Sequence, residues 1–197
     1  MKEEYAKPDF WSQKAFKEGY PARSVYKLEE IQEKFHIFEP SNRILDLGAA
    51  PGSWTTYILR FLDEKGACVS VDLKELEPKI NDTRLHFFQG DLYDKKIFAC
   101  IKNFAPYDTV ICDAAPATSG NKTVDTSRSE GLVELASYYA LETLKPSGNF
   151  VVKIFQGGDQ QRILQNLRKS FRSVKTFKPK ASRASSIETF FVALHRL

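Results

Sequence analysis

LDLGAAPGSW, residues 45–54, is the stretch that decides the fold. It closes an apolar run, NRILDLG (42–48), that reads as a buried strand ending in a glycine turn. Ser53 reads as the cap of a helix running through Trp54, Tyr57, Ile58 and Phe61. A strand, a tight turn and a helix open an α/β unit, and in such sheets ligands bind beyond the carboxyl ends of the strands. Gly48 and Gly52 are spaced G-x-x-x-G, not G-x-G-x-x-G. Pro51 also lacks the N–H that could grip a phosphate. The turn therefore favours a ligand without a pyrophosphate over a dinucleotide.

The alternation continues outward. RSVYKLEEIQEKF (23–35) carries Val25, Leu28, Ile31 and Phe35 at helical spacing. Further strands read at 67–73, 84–91, 107–116, 149–155, 174–179 and 188–197, and further helices at 93–103, 127–144 and 159–171. Pro146 and Gly148 mark the end of the helix at 127–144. The expectation is an α/β, Rossmann-like doubly wound, mostly parallel seven-stranded sheet with helices on both faces. Residues 23–197 read as one domain, and residues 1–22, the least patterned segment, as an N-terminal extension.

The 197 residues are 42 % hydrophobic and 27 % charged, which excludes a mainly disordered chain, a collagen and a coiled coil. No apolar run reaches the roughly 18 residues of a membrane span, and the N-terminus has no apolar core of a secretory signal. Cys68, Cys100 and Cys112 lack metal-ligand spacing and read as unpaired thiols in a reducing compartment, so a cytoplasmic location and no metal are expected. The net charge of +4 is uneven. Residues 1–43 are neutral, 44–159 carry −4 and 160–197 carry +8. A basic end on an otherwise slightly acidic chain suggests a polyanion on one face.

Acids stand at the ends of successive strands: Asp72, Asp91 in QGD, and Asp113 in CDAAP. Asp72 is placed to accept ribose hydroxyls and Asp91 to meet an adenine amino group. A cationic nucleoside such as S-adenosylmethionine suits a site lined by carboxylates. Lys153 interrupts the apolar strand VVKIF, where a lysine needs a partner or a function.

The ordered segments ARSVYKLEEI (22–31), LDLGAAPGSW (45–54), VDL (71–73), QGD (89–91), DAAP…SG (113–120), FVVKIFQG (150–157) and KPKASRASSIETFFVA (178–193) resemble the FtsJ/RrmJ family of S-adenosylmethionine-dependent RNA 2′-O-ribose methyltransferases. The resemblance spans about 175 residues and is closest to the bacterial-type enzymes acting on large-subunit ribosomal RNA. It implies a catalytic set of Lys27, Asp113, Lys153 and Glu188, with cofactor contacts at Gly52, Trp54, Asp72, Asp91 and Asp113. Lys153 is then the base or the group that orients the attacking hydroxyl; repulsion from Lys27 is expected to push its pKa down, while Asp113 and Glu188 oppose that shift and hold the lysines in place. Arg23, Lys178, Lys180 and Arg183 are candidates for phosphate contact. Tyr5, Phe10, Trp11, Phe16 and Tyr20 either stack on RNA bases or strap the extension to the domain. The chain departs from the family at Ser53, where many members carry glycine, and at Ala114, where many bacterial ones carry methionine. The expected partner is ribosomal RNA in the large subunit, with no membrane contact and a monomer as default. The rivals are a methyltransferase of tRNA anticodon loops or mRNA caps, a non-catalytic RNA-binding assembly module, and a dinucleotide oxidoreductase.

Overall fold

The computed structural model of the chain describes residues 9–117, 119–183 and 186–197. Seven strands form one sheet: β1 (Arg43–Leu47), β2 (Ala67–Asp72), β3 (Leu85–Gln89), β4 (Tyr107–Cys112), β5 (Leu144–Phe155), β6 (Phe171–Phe177) and β7 (Glu188–Arg196). Their order is β3-β2-β1-β4-β5-β7-β6. The first five pair in parallel, and β7 runs antiparallel between β5 and β6. The doubly wound, mostly parallel sheet read from the alternating pattern is the one the chain adopts.

Six helices cover it: α1 (Phe10–Lys17), α2 (Val25–Phe35), α3 (Ser53–Phe61), α4 (Lys95–Lys102), α5 (Lys122–Thr143) and α6 (Gln160–Ser170). Side chains alternate across each strand, so every central strand feeds two cores. Leu45, Leu47, Val110, Cys112, Phe150 and Val152 pack with α4, α5 and α6. Ile44, Ile111, Val151, Phe190 and Val192 pack with α2 and α3 on the opposite face. This double burial explains why β1, β4 and β5 read as nearly continuous apolar runs.

Four details differ from the pattern-based reading. α5 begins at Lys122, not 127, because Asn121 Oδ1 accepts the Thr123 and Val124 N–H groups and caps a polar turn with no apolar period. β5 begins at Leu144, directly after that helix. Leu144 pairs with Tyr107 and Asn149 with Thr109, so residues 145–148 bulge out opposite Asp108, and Lys145 pairs with its carboxylate. Ser53 does not cap α3; Gly52 occupies that position at φ 114°, and the buried Ser53 hydroxyl has no hydrogen-bond partner among the described residues. Residues 10–17, unpatterned in apolar period, form α1. Asp9 Oδ1 accepts the Ser12 N–H at its start, Ala15 is buried, and Trp11 packs on Tyr26 of α2 with ring centroids 5.1 Å apart.

Among the described residues no helix is long and apolar enough to cross a membrane. Phe190 ties β7 to the α2–α3 face, fully buried and 5.9 Å from the Trp54 ring. Phe190→Ala is expected to lower the unfolding free energy by about 3–5 kcal/mol in a denaturant titration, because the cavity lies between sheet and helix with little room to collapse.

Candidate active site

The strand registers align a set of charges. Asp46 of β1 lies opposite Ser70 and Ile111; Asp72 and Asp113 follow those two residues by two positions. Lys153 follows Val151, the partner of Ile111, by two positions, and Glu188 precedes Phe190, the partner of Lys153, by two. With a side-chain period of two, all five belong to the α2–α3 face of the sheet. Because β7 is antiparallel, its first residue, Glu188, lies beside the last residue of β5, Phe155. Lys27 comes from α2, which packs on the same face.

A cleft of about 1060 Å³ opens at the carboxyl ends of β1, β2, β3 and β4. Its floor is a close approach of two turns. A Cβ on Gly48, at φ 76°, would stand 2.6 Å from the Ala114 Cβ, so only glycine fits there. Asp72 holds the glycine turn: its Oδ2 accepts the Ala50 N–H at 3.0 Å and its Oδ1 the Lys74 N–H at 2.9 Å. Asp91 Oδ1 accepts the Tyr93 N–H at 2.9 Å. Asp72, Asp91, Asp113, Glu75 and Glu77 line the cleft against Lys74, Arg128 and Lys153, an excess of negative charge. That balance suits a cation and opposes a pyrophosphate.

Gly52 and Trp54 are not among the residues lining the cleft. The Trp54 indole is 2 % exposed in the α2–α3 core, and its Nε1 donates to the Ser24 carbonyl at 2.8 Å. Its ring is a packing element that fixes the start of α2 over the glycine turn.

The four residues of the expected catalytic set meet as two ion pairs. Lys27 Nζ donates to Glu188 Oε2 at 2.6 Å. Lys153 Nζ stands 2.9 Å from Asp113 Oδ1, while its aligned hydrogen bond goes to the Asp113 backbone carbonyl. Both lysines are nearly buried, at 7 % and 9 % exposure, so neither is a solvated surface charge. A second cleft, of about 480 Å³, lies beyond Lys153 and is walled by Lys122, Asp125, Phe155, Ser186 and Glu188. Lys153 borders both clefts.

Of the two opposing influences on Lys153, the carboxylates prevail. Burial pulls its pKa down, but the Asp113 carboxylate, then Glu188, outweigh burial and hold it above the usual lysine value. Lys27 does not counter this, because its ammonium is engaged with Glu188. Burial pushes the Glu188 carboxyl up, yet the lysines, Lys27 foremost, bring it below its ordinary range. At neutral pH Lys153 is thus an ammonium, which donates hydrogen bonds and accepts no proton.

Asp46 was not singled out by the sequence reasoning. It is fully buried in β1, and its Oδ2 accepts from the Thr55 hydroxyl at 2.7 Å. The signal was available: an acid inside a run that must be covered on both faces, the argument applied above to Lys153.

The basic candidates do not behave alike. The Arg23 guanidinium pairs with Asp9 and donates to the Ala181 carbonyl at 2.5 Å, so it ties α1 to the 178–183 loop and is not a free phosphate ligand. Lys178 and Lys180 are exposed on that loop, although Lys178 Nζ donates to the Ser186 carbonyl. Arg183 is exposed at its end. Trp11 and Tyr20 strap α1 to Val25, Tyr26 and Ala181, whereas Phe10 and Phe16 point outward, 71 % and 56 % exposed. Tyr5 lies outside the described residues. The three cysteines are unpaired, and no metal-ligand cluster occurs among the described residues.

A family model described as FtsJ-like methyltransferase matches residues 20–196. A Treponema denticola protein named ribosomal RNA large subunit methyltransferase E is 63 % identical over 193 residues, covering 98 % of this chain and 97 % of its own. A Borrelia duttonii protein of the same name is 44 % identical over 185 residues, covering 94 % of each. The crystal structure of a Plasmodium falciparum protein assigned as a ribosomal RNA methyltransferase superposes with a TM-score of 0.77 at 25 % identity, over 90 % of this chain and 99 % of that one.

Glu188→Gln leaves the buried Lys27 ammonium without its counter-charge and is expected to destabilise the protein by about 2–3 kcal/mol at pH 7, the low side of such losses because Glu188 is half-buried. Glu188 has a folded pKa below its unfolded value, so its contribution is complete above about pH 4.5 and disappears as pH falls through the folded value. Denaturant titrations of the two proteins should accordingly converge in acid.

Proposed function

The chain belongs to the FtsJ-like methyltransferase family, and we propose that it transfers a methyl group from S-adenosylmethionine to a ribose 2′-hydroxyl of large-subunit ribosomal RNA. The observation that carries this reading is Lys153, a buried ammonium paired with Asp113 at the junction of an acid-lined cleft and a second, smaller one. A nucleoside cation in the first and a ribose in the second would meet there. Residues 23–197 form the catalytic domain in this reading and residues 1–22 its N-terminal extension, whose helix α1 packs on α2 through Trp11 and Tyr26. The protein works as a monomer in the cytoplasm.

Asp72 and Asp91 would hold the nucleoside, each keeping carboxylate lone pairs beyond the backbone N–H groups it already accepts. Asp113 would face its positive charge, and the backbone of the glycine turn at Gly48, Ala50 and Pro51, which lines the cleft, would approach it closely. When bound, S-adenosylmethionine supplies an electrophilic methyl group on a sulfonium. The chain's task is alignment and charge. Lys153 would donate a hydrogen bond to the 2′-oxygen, which orients a lone pair toward the methyl group and stabilises the alkoxide character that grows as the O–H bond breaks and its proton passes to water. Asp113 fixes the Lys153 ammonium, and Glu188 fixes Lys27 along the wall of the second cleft. Lys178, Lys180 and Arg183 extend this face with cations suited to the phosphate backbone.

Two outcomes test the reading. Lys153→Met is expected to reduce methyl transfer by about 10²–10⁴-fold with cofactor affinity retained; undiminished turnover would refute the assignment. Labelled methyl from S-adenosylmethionine should appear on a ribose of large ribosomal subunits lacking 2′-O-methylation, in preference to tRNA, with a rate that falls steeply as salt rises. Labelling of tRNA alone would keep the chemistry and replace the substrate.

A further inference from the structure

Asp46 takes no part in the reaction as derived above, yet it is the acid least able to stay charged where it stands. It is 0 % exposed on a central strand covered on both faces. Oδ2 accepts from Thr55 Oγ1, that hydroxyl lies 3.0 Å from Ser70 Oγ, and Ser70 Oγ lies 3.3 Å from Cys68 Sγ. Oδ1 has no hydrogen-bond partner among the described residues. A buried carboxylate with one oxygen unpaired is strongly disfavoured, and accepting a proton is the usual relief. The groups facing it add to the pressure. β2 brings Asp72 and the Cys68 thiol, β4 brings Asp113, and α3 brings the Thr55 hydroxyl, while the Cys112 thiol of β4 points to the opposite face. None of the groups acting on its charge is a cation. Burial, partly offset by the Thr55 hydrogen bond and reinforced by Asp113 and Asp72, holds the Asp46 carboxyl up at about 7.

Asp72 and Asp113 are also the acids that line the cleft. A positive charge placed against them therefore acts on Asp46 through the same field that keeps it protonated. We propose that Asp46 is protonated in a large share of the free protein at neutral pH and loses that proton when a positively charged nucleoside occupies the cleft. The inference rests on the cofactor reading above. The O–H bond breaks heterolytically, the electron pair stays on the carboxylate, and the proton passes to water. The cleft then holds its cation with one more negative charge than the free protein has. The neutral thioether left after methyl transfer brings no such charge, so Asp46 keeps its proton and the product is held less tightly. Preference for the sulfonium over the thioether accordingly grows as pH rises toward 7, by at most tenfold per pH unit for one proton.

The test is calorimetric titration of S-adenosylmethionine into the protein at pH 7 in two buffers of different ionisation enthalpy. Wild type should release about half a proton more per cofactor bound than Asp46→Asn, because a carboxyl titrating near 7 is half protonated there. The variant's release then reports only the cofactor's own amine. Difference infrared spectra of wild type should lose a protonated-carboxyl carbonyl band on adding S-adenosylmethionine and keep it on adding S-adenosylhomocysteine. This second measurement decides the matter alone if Asp46→Asn does not fold. Equal proton release by the two proteins, or an unchanged carboxyl band on cofactor binding, overturns the role of Asp46 and leaves the cofactor reading standing. Absence of any binding heat or spectral change with S-adenosylmethionine overturns both.

Discussion

The Lys153–Asp113 pair is the interaction on which the rest of the site depends. A lysine on a central strand, with helices on both faces of the sheet, is strongly disfavoured unless a counter-charge is in place. The counter-charge comes from the neighbouring strand at the one level where the sheet ends and backbone groups are free. Lys153 Nζ reaches both the carboxylate and the carbonyl of Asp113, so one residue supplies charge and hydrogen bond together. That geometry requires β4 and β5 to be parallel and in the observed register, with Cys112 opposite Val152. The strand order is thus a condition for burying the charge, beyond its part in forming the core.

The antiparallel β7 completes the arrangement. A parallel strand in its place would bring its carboxyl end, not its start, to the level of Lys153. Running the other way, β7 places Glu188 beside the end of β5, where it partners Lys27 of α2. Lys27 must come from a helix because both sheet neighbours of β5 are already in use. Four chain segments distant in sequence therefore converge through strand direction, side-chain parity and one helix crossing the same face.

Much of this was legible in the residues. The strand–turn–helix at 45–54, the alternation of apolar strands with amphipathic helices, and the acids at strand ends follow from periodicity and turn chemistry, and they appear where the pattern put them. Elements without an apolar period were not legible: the first turn of α5 rests on the Asn121 cap, and α1 is held by the Trp11–Tyr26 ring contact and by Arg23, which joins Asp9 at its start to Ala181. The set Lys27, Asp113, Lys153 and Glu188 was legible through family likeness, and geometry explains it. Side-chain direction was not legible. Trp54 stands beside the glycine turn in sequence but turns its ring into the core, and Arg23 points inward to Asp9 and Ala181. Asp46 was hidden for the opposite reason, since an acid next to a glycine turn reads as part of the turn when it is a strand residue facing the core.

Electrostatic balance decides the charge state of Lys153. Repulsion from Lys27 and attraction by Asp113 and Glu188 act on it in opposite directions. The fold brings as many carboxylates as lysines, and each ammonium has its own. Attraction at hydrogen-bond distance exceeds repulsion between ammonium groups that are each already paired. The free site is therefore a closed set of ion pairs with no proton acceptor of its own at Lys153. Asp113 belongs both to this set and to the acid-lined cleft, so a cation entering that cleft competes with Lys153 for the same carboxylate. Weakening that hold moves the Lys153 pKa back toward the value burial alone would set, and the same cation relieves the mutual repulsion of Asp46, Asp72 and Asp113. The two clefts thus share Lys153, whose counter-charge, Asp113, also lines the first of them.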